Sequence, residues 1–474
     1  MLHLVRQRLA FAVAFCEALL VLATAAIAAP PQVPSLPSQP AGYVKYAITD
    51  LPAHFKNGPV AALDNTPADN LLSDAGATLG RVLFYDKRLS HDNGGSCASC
   101  HKQANGFSDP AQFSAGINGQ LTGRHSMGLA NGTYYVNGAA FWDERAGSLE
   151  EQALIPIQSP SEMGSTLAEV IGKLNQTTFY PTLFQAAFGT TEINPERISK
   201  AIGQFERAMV SYQSKFDSAF PDGSQTPNFA AVYSADELAG RAIFTGAGRC
   251  AGCHTTNAHV GQQVANIGLD AIDVDPGAGE GRFKTPSLRN VGVRGRFMHD
   301  GRFSSLQQVV EFYNTGVQDN PALDEGLDNP MQLNLTPQEV QQLVAYLNTL
   351  TDNTFLTSSL FSDPFVALPG DYDGNGIVEQ ADYNVWRANF GDTSSLAADG
   401  NGNHIVDSAD YVIWRNSIGL TWQSLGTGAG SQLPAVPEPS AVTLAGLASA
   451  CGLLLRRRRR HFVGGVSDAD NAAE

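Results

Sequence analysis

Two short motifs combine cysteine and histidine at a spacing that suits one particular chemistry. Each reads Cys-x-x-Cys-His, at residues 97–101 and again at residues 250–254. On a helical turn the two thiols can each add to a haem vinyl group, and the histidine can bind the haem iron. A structural zinc site needs about four ligands in one cluster, whereas these motifs lie far apart in the sequence. The sequence therefore predicts two covalently bound c-type haems, held by Cys97, Cys100, His101, Cys250, Cys253 and His254.

The composition narrows the class of protein further. The 474 residues include 46 Asp and Glu against 30 Lys and Arg, which gives a net charge of −16. Binding to phosphate groups needs a basic face, so this balance excludes a nucleic-acid partner. The other cysteines, Cys16 and Cys451, lie in apolar end segments, which argues against a scaffold held by disulfides.

Helix signals dominate the middle of the chain, after a lead-in rich in Pro, Ala and Ser at residues 30–67 that is predicted to be extended. A proline at the first helical position marks a helix start at Pro195. Capping boxes mark two further starts at Ser234 and Thr336. These signals predict that the chemical motifs are positioned by helices.

A faint internal repeat divides this helical region in two. Leu-Gly-Arg-Val-Leu-Phe at residues 79–84 precedes the first haem motif, and Ala-Gly-Arg-Ala-Ile-Phe at residues 239–244 precedes the second. Two tandem cytochrome-c-like domains, at residues 68–230 and 231–358, are the simplest explanation. The predicted fold is all-α, with these two haem domains followed by a small helical module that carries calcium loops.

A second repeat, within residues 368–420, places acidic and amide side chains at the spacing of calcium ligands. Oxygens at loop positions 1, 3, 5, 9 and 12, with a backbone carbonyl at position 7, can surround one calcium ion. The predicted ligands are Asp371, Asp373, Asn375, Ile377, Glu379 and Asp382 in the first loop, and Asp399, Asn401, Asn403, Ile405, Asp407 and Asp410 in the second. Such paired loops resemble dockerin type I modules, which bind cohesin partners. The alternative is a spacer stiffened by calcium.

Both ends of the chain carry targeting signals. A basic start, an apolar run and small residues predict a secretory signal peptide at residues 1–29, with an uncleaved membrane anchor as the alternative. After a Gly/Ser/Thr-rich linker at residues 421–435, residues 436–460 resemble a PEP-CTERM sorting segment: Val-Pro-Glu-Pro-Ser, an apolar stretch, then five arginines. The polar tail at residues 461–474 departs from that pattern. We therefore expect an exported protein, periplasmic or at the cell surface, that is anchored to the membrane or envelope.

The haem region also resembles the bacterial di-haem cytochrome c peroxidase family, which includes the methylamine-utilisation di-haem enzyme that oxidises a partner protein. The resemblance covers both haem motifs and the chain between them. The matching stretches are residues 83–90, 96–101, 141–146, 148–153, 162–163, 283–290 and 298–301.

The resemblance implies roles for several residues around the haem of His101. Trp142 matches the family tryptophan that lies between the haems, and Gln152 and Glu162 match a polar pair on the peroxide side of the iron. A carboxylate at that place can move a proton from the inner to the outer peroxide oxygen. Pro156 matches a proline of the same pocket in the methylamine-type enzyme.

The chain departs from many family members where a distal histidine blocks the first haem. The stretch reads Ser-Ala-Gly-Ile, so Ile117 stands at the ligand position. Because isoleucine cannot bind iron, the first haem should be open at rest, unless His91 or His125 substitutes. His125 also follows Arg124 where the family has an asparagine, which puts the family's interdomain calcium site in doubt.

The resemblance implies a distal ligand for the second haem as well. The family position falls on Tyr313, as in the methylamine-type enzyme, with Met298 as the alternative. A tyrosinate ligand stabilises ferric and higher states relative to a thioether. Tyr313 also shares a predicted helix face with Leu306 and Val310, so an ordinary place in the core is the other interpretation.

The predicted function is therefore that of a di-haem c-type peroxidase. It reduces hydrogen peroxide at an open first haem, with electrons that pass through the second haem from a cytochrome or an oxidisable protein or small molecule. The alternative is a non-enzymatic, surface-anchored electron carrier with two saturated haems. A third hypothesis treats the chain mainly as an anchored assembly module.

Overall fold

The computed structural model describes residues 34, 36, 43, 45, 46, 51–221, 224–328, 331–365, 369–373, 378–393, 398–401, 403 and 405–420. The predicted signal peptide, linker, sorting segment and polar tail lie outside the described residues, as do Asn375 and Ile377. In the part of the chain that is described, no helix is both long and apolar enough to cross a bilayer.

Helices joined by long loops make up most of the described structure. The first part contains α1 (Ala53–Lys56), α2 (Gly58–Ala61), α3 (Asp74–Tyr85), α4 (Cys97–Cys100), α5 (Leu149–Gln158), α6 (Leu167–Asn175), α7 (Tyr180–Phe188) and α8 (Pro195–Ala208). The second contains α9 (Ala235–Thr245), α10 (Cys250–Cys253), α11 (Leu306–Glu311), α12 (Glu325–Asp328), α13 (Pro337–Asn348) and α14 (Asn353–Thr357). The acidic repeats contribute α15 (Gln380–Asn389) and α16 (Ser408–Ser417).

The predicted helix starts are confirmed. Pro195 is the first residue of α8. Ser234 and Glu237 form a complete capping box at α9, and Thr336 and Glu339 form another at α13. In each box the hydroxyl accepts from one orphan N–H and the carboxylate accepts from the other, which fixes where the helix begins.

The internal repeat marks one helix crossing in each haem domain. Helix α3 packs on α8, and α9 packs on α13. At the first crossing, a side chain on Gly80 would clash with the carbonyl of Ala201; at the second, a side chain on Gly240 would clash with the carbonyl of Gln342. Glycine lets two helix backbones approach this closely. The repeated glycine therefore has the same structural role in both domains.

The strictly all-α prediction is wrong in one place. Val264–Ala265 and Phe283–Lys284 form a two-stranded antiparallel sheet, with Val264 opposite Lys284 and Ala265 opposite Phe283. The two strands join the ends of the long loop between them. Backbone N–H and C=O groups that are removed from water need hydrogen-bond partners, and the strands provide these partners for each other. Gln263 continues the pairing by accepting from the backbone N–H of Thr285 at 3.2 Å.

The lead-in is also not extended throughout, because α1 and α2 lie within it. Phe55 and Val60 are buried, and His54 contacts Asp217 at 3.0 Å in the interior. Tyr46, further upstream, is buried too, and its hydroxyl donates to the carbonyl of Leu360. The apolar side chains between the prolines therefore bury enough surface to hold this segment against the haem domains.

Hydrophobic packing crosses the expected limits of the two haem domains. Phe216 and Phe229, which precede residue 231, pack in the core around α9 and α13. Phe355 and Phe361, at the other end, pack with Phe107 in a cluster beside α3 and α8. Residues near both predicted limits of the second domain therefore make contacts that domain boundaries drawn along the sequence do not anticipate.

The two acidic repeats fold as a symmetric pair of loop–helix units. Trp386 of α15 donates from Nε1 to the carbonyl of Asp407, and Trp414 of α16 donates to the carbonyl of Glu379, each at 2.8 Å. Each tryptophan therefore binds the residue that begins the other helix. Val378 and Val406 are buried in the small core between the units.

Candidate active site

A cavity of about 700 Å³, here named cavity one, surrounds the first haem motif. The side chains that define it are Cys97, Cys100, His101, Ile117, Trp142, Gln152, Pro156 and Glu162. His101 donates from Nδ1 to the carbonyl of Phe107 at 2.8 Å, which leaves Nε2 as the nitrogen suited to a metal. Burial lowers the pKa of His101 and so favours its neutral, metal-binding form.

A second cavity of about 420 Å³, cavity two, surrounds the second haem motif. His254 donates from Nδ1 to the carbonyl of Pro286 at 3.1 Å, and burial lowers its pKa to about 4. Helices α11 and α13 contribute apolar side chains to the lining of cavity two, which includes Val309, Val310, Leu343 and Leu347.

Both cavities fit a c-type haem. Each holds two thiols on a single helical turn, and none of these four thiols forms a disulfide. Each also holds a neutral imidazole that is oriented by a backbone carbonyl, an arrangement that tunes a metal ligand. The four cysteines would form the thioether bonds, and His101 and His254 would bind the two irons.

Trp142 lies in the wall that the two cavities share. Its side chain lines both of them, and its Nε1 donates to the carbonyl of His125 at 2.7 Å. The carbonyl of Trp142 accepts from the backbone N–H of Lys284 at 2.7 Å. The first half of the molecule therefore fixes the indole, and the second half fixes the backbone of Trp142.

The three distal residues expected from the sequence come together in cavity one. Gln152 and Pro156 lie one turn apart on α5, so they share a face of that helix. Glu162 lies in the turn that follows, and the next residue, Met163, donates from its backbone to the carbonyl of Pro156 at 3.2 Å. Burial raises the pKa of Glu162, opposed by a hydrogen bond from Ser159. The site thus holds a carboxyl group that binds a proton more readily than a solvated glutamate does.

Ile117 is held next to Glu162 by the backbone. Its N–H donates to the carbonyl of Glu162 at 2.9 Å, and a side chain on the preceding Gly116 would clash with the carbonyl of Ser161. The position that carries a histidine ligand in many family members therefore presents an aliphatic side chain to cavity one.

The two histidines that were considered as substitutes are engaged elsewhere. His91 is exposed and pairs with Glu169 at 3.0 Å, outside the lining of cavity one, so that alternative is wrong. His125 lies in the cavity wall, but its Nδ1 contacts the carbonyl of Gln112 at 3.2 Å and its Nε2 contacts the Ser108 hydroxyl at 3.1 Å. Both ring nitrogens of His125 are therefore used by the protein.

Tyr313 and Met298 both line cavity two. Tyr313 is not on the regular face of α11, because the chain widens into a π-helical turn at Phe312–Gly316. Such turns are frequent at functional sites because they re-aim side chains. Burial raises the pKa of Tyr313, and no hydrogen bond to its hydroxyl comes from the described residues. Met298 has a left-handed backbone (φ 70°), a strained conformation for a residue with a side chain.

Several charged residues that line the cavities were not anticipated from the sequence, and Lys284 and Glu206 are two of them. Lys284 lines both cavities, and Glu206 lines cavity one. Glu206 lies on α8, and the helix-start signal at Pro195 gave no indication that its side chain reaches the cavity. Lys284 lies within a stretch that matches the family, but no motif marks it as a cavity residue.

The first acidic loop brings together three of its predicted ligands. Carboxylate oxygens of Asp371, Asp373 and Asp382 lie within 4.8 Å of one another. In the second loop, Asp410 accepts from the backbone N–H of Gly400 at 2.9 Å, as Asp382 does from Asp373. The remaining described candidates are Glu379, Asp399, Asn401, Asn403, Ile405 and Asp407.

Comparison with known families matches three stretches of the chain. Residues 74–225 match the model of the di-haem cytochrome c peroxidases, and residues 238–351 match that of cytochrome c. Residues 435–460 match the PEP-CTERM protein-sorting motif. The predicted sorting signal is thereby confirmed at the level of sequence.

Curated relatives and solved structures agree with these matches. The methylamine utilization protein MauG of Methylorubrum extorquens is 35% identical over 297 residues, which cover 60% of this chain and 80% of the relative. The cytochrome c551 peroxidase of Nitrosomonas europaea is 34% identical, over 58% of this chain and 79% of the relative. A MauG-like protein associated with microbial copper homeostasis has a similar crystal structure. The TM-score is 0.57 at 29% identity, over 67% of this chain and 99% of that one.

The two cavities, each with its Cys-x-x-Cys-His motif, therefore agree with the family matches and with the curated relatives. The family matches support two covalent haem c groups and an oxidoreductase role for the chain. The chain belongs to the di-haem cytochrome c peroxidase family, which includes proteins of the MauG type.

Proposed function

We propose that the protein is a peroxidase that reduces hydrogen peroxide in cavity one. The observation that carries this proposal is the set of side chains gathered there. Glu162 and Gln152 line the cavity together with His101, while Ile117 occupies the place of a blocking ligand. An electron carrier has no need of an open, polar distal pocket, because a saturated iron transfers electrons without one.

The chain's own residues manage protons and orientation in this reaction. When bound at His101, the haem supplies an iron centre at which peroxide is reduced to two molecules of water by two electrons and two protons. Glu162 accepts the proton of one peroxide oxygen and returns it to the other. Gln152 can donate an amide hydrogen bond that holds peroxide in place, and Pro156 keeps its part of α5 free of an N–H donor.

Trp142 supports the transfer of electrons between the two cavities. It lies in their common wall and is fixed there by hydrogen bonds on its indole and on its backbone. We assign the electron-transfer role to the second haem, which His254 and Tyr313 would hold through its iron. The donor is either a small cytochrome or an oxidisable residue of a partner protein.

The test is the optical and EPR response of the fully ferric holoprotein to one equivalent of peroxide, repeated after one-electron reduction. A fast reaction of the ferric form is expected, because Ile117 leaves the first haem accessible. A reaction only after reduction would show that a gating ligand closes the site. No reaction in either state would contradict the peroxidase proposal and support the electron carrier.

We also propose that the acidic repeats form a dockerin-like pair of calcium loops. The support is the approach of three carboxylates in the first loop and the matching hydrogen bonds of Asp382 and Asp410. Calcium is expected to raise the melting temperature of the repeats, and Asp373→Asn should abolish that rise. An equal melting temperature in calcium and in chelator would contradict the proposal. A pull-down with a cohesin module separates the two possible roles of the repeats. Capture that requires calcium would support a cohesin-type partner, and no capture would support a role as spacer.

The sorting motif supports an exported protein that is attached to the membrane or envelope. We propose a periplasmic or surface location on that basis. Fractionation of cells that express the full chain, with and without residues 435–460, tests this location.

A further inference from the structure

Glu206 is a carboxyl group of cavity one to which the reaction above assigns no role. It lies at the end of α8, only 7% of its surface is exposed, and its side chain lines the cavity. No hydrogen bond to its carboxyl group comes from the described residues. A buried carboxyl without partners is costly to ionise, so it needs either a proton or a nearby positive charge.

The cations nearest to Glu206 already have partners. On its own helix, Arg207 donates to both carboxylate oxygens of Glu150 on α5, at 2.6 and 3.0 Å. Lys284, on the second strand, donates to the carbonyl of Ala139 at 2.6 Å. Arg207 and Lys284 act on Glu206 through their fields, and no direct ion pair with either is present among the described residues.

The other groups that face Glu206 and Lys284 are acidic or neutral. Cys97, on α4, interacts electrostatically with Glu206, as does Glu150. Lys284 lies over the ring of Tyr135 at 3.8 Å, and the Tyr135 hydroxyl donates to Glu144. Burial raises the pKa of Glu206 to about 8 and lowers that of Lys284 to about 8. Burial therefore favours the protonated form of Glu206, whose side chain lines the cavity that would hold the first haem.

We propose that Glu206 is the redox-linked proton site of cavity one: it binds a proton when the haem of His101 is reduced and releases that proton when the haem is oxidised. Oxidation adds one positive charge to the cavity, and a positive charge in a poorly solvated site stabilises a carboxylate. In the balanced step one electron passes from the bound cofactor to a one-electron redox mediator of the ferricyanide type, and the O–H bond of Glu206 breaks to give one proton to solvent. The proposal depends on haem binding and not on peroxide turnover.

The linkage is reciprocal, so pH must change the midpoint potential of the first haem. Around pH 8 the potential should fall with rising pH. The limit is a tenfold change in the redox equilibrium per pH unit, about 59 mV for a one-electron couple. The potential should level off at lower pH, where Glu206 is protonated in both redox states, and at higher pH, where it is ionised in both.

Spectroelectrochemical titration of the full-length holoprotein between pH 5.5 and 9.5 tests the proposal. In Glu206→Gln the slope of the first haem around pH 8 should be lost, because glutamine does not titrate. The control is Glu196→Gln, an exposed residue of the first turn of the same helix that pairs with Lys200. It makes the same side-chain substitution outside the cavity and should keep the slope. A wild-type slope in Glu206→Gln would overturn the proposal.

A second measurement does not need the Glu206→Gln variant, and it keeps the proposal testable if that variant fails to incorporate haem. The redox-induced infrared difference spectrum of the wild type should contain the C=O stretch of a protonated carboxylic acid. This band should persist in Glu162→Gln and shift in Glu206→Asp. Its absence from the wild type, or its loss in Glu162→Gln, would overturn the assignment to Glu206.

Discussion

Gly80 and Gly240 have the same function in the two haem domains, whereas the residues that face the two cavities differ. Each glycine lets a helix that precedes a Cys-x-x-Cys-His turn cross its neighbour closely. Cavity one then presents Glu162, Gln152 and an aliphatic Ile117, and cavity two presents Tyr313 and an apolar wall. The two cavities thus share one scaffold, and under the proposed function a few side chains separate a reactive centre from one that stores or transfers electrons.

The largest effect is expected from a substitution that removes the proposed proton-transfer group of cavity one. Glu162→Gln should lower the rate of peroxide turnover about 10²–10⁴-fold, the usual contribution of general acid–base catalysis. As a base, Glu162 must be ionised, so the wild-type rate should fall as the pH drops through its raised pKa. The measurement is stopped-flow turnover across pH, with the exposed Glu151→Gln of the same region as the control. A pH profile that is unchanged in Glu162→Gln would contradict this role.

A second change should make cavity one resemble a gated site. Ile117→His should place a ligand on the first iron and convert its ferric spectrum to the low-spin, six-coordinate form. If the blocked state outweighs the open one by 99 to 1, the ferric protein should react with peroxide about 100-fold more slowly. Prior one-electron reduction that restores the reaction would confirm gating. A spectrum that stays high-spin would show that residue 117 does not face the iron.

The third change concerns the ligand of cavity two. Tyr313→Met should raise the potential of the second haem by on the order of 100 mV, because a thioether favours the ferrous state and axial ligands set haem potentials over a wide range. Tyr313→Phe should alter the spectrum of the same haem and leave the first haem unchanged. If Met298→Leu alters the second haem and both Tyr313 variants do not, Met298 is the ligand.

The smallest effect is expected from substitutions at the close helix crossings, which both haem domains contain. Gly80→Ala and Gly240→Ala should each destabilise the protein by about 1–3 kcal/mol, the usual result of overpacking a close contact. Denaturant unfolding of the holoprotein measures this, with Gly172→Ala as a control because no neighbouring atom crowds a side chain at Gly172. Equal stability of Gly240→Ala and wild type would show that the two crossings are not equivalent.

Much of the site followed from the sequence because its chemistry is local. A thiol pair followed by histidine needs only one helical turn, and the capping boxes at Ser234 and Thr336 fix helix starts within four residues. The assignments of Gln152 and Glu162 depended on the family resemblance, and the structure brings both to the cavity of His101. The expectation of an extended lead-in failed, because the burial of Phe55 depends on a surface formed by distant parts of the chain.

The sequence by itself determined the two haem attachments, the helical scaffold and the acidic repeats, since each depends on residues a few positions apart. Only the tertiary structure decided that Trp142 lies in a wall common to both cavities, that His91 is too far out to act as a ligand, and that Glu206 and Lys284 enter the site. The physical reason is the same in each case. The environment of a side chain, and with it the stability of its charge, depends on neighbours that the folded chain brings from other helices and strands.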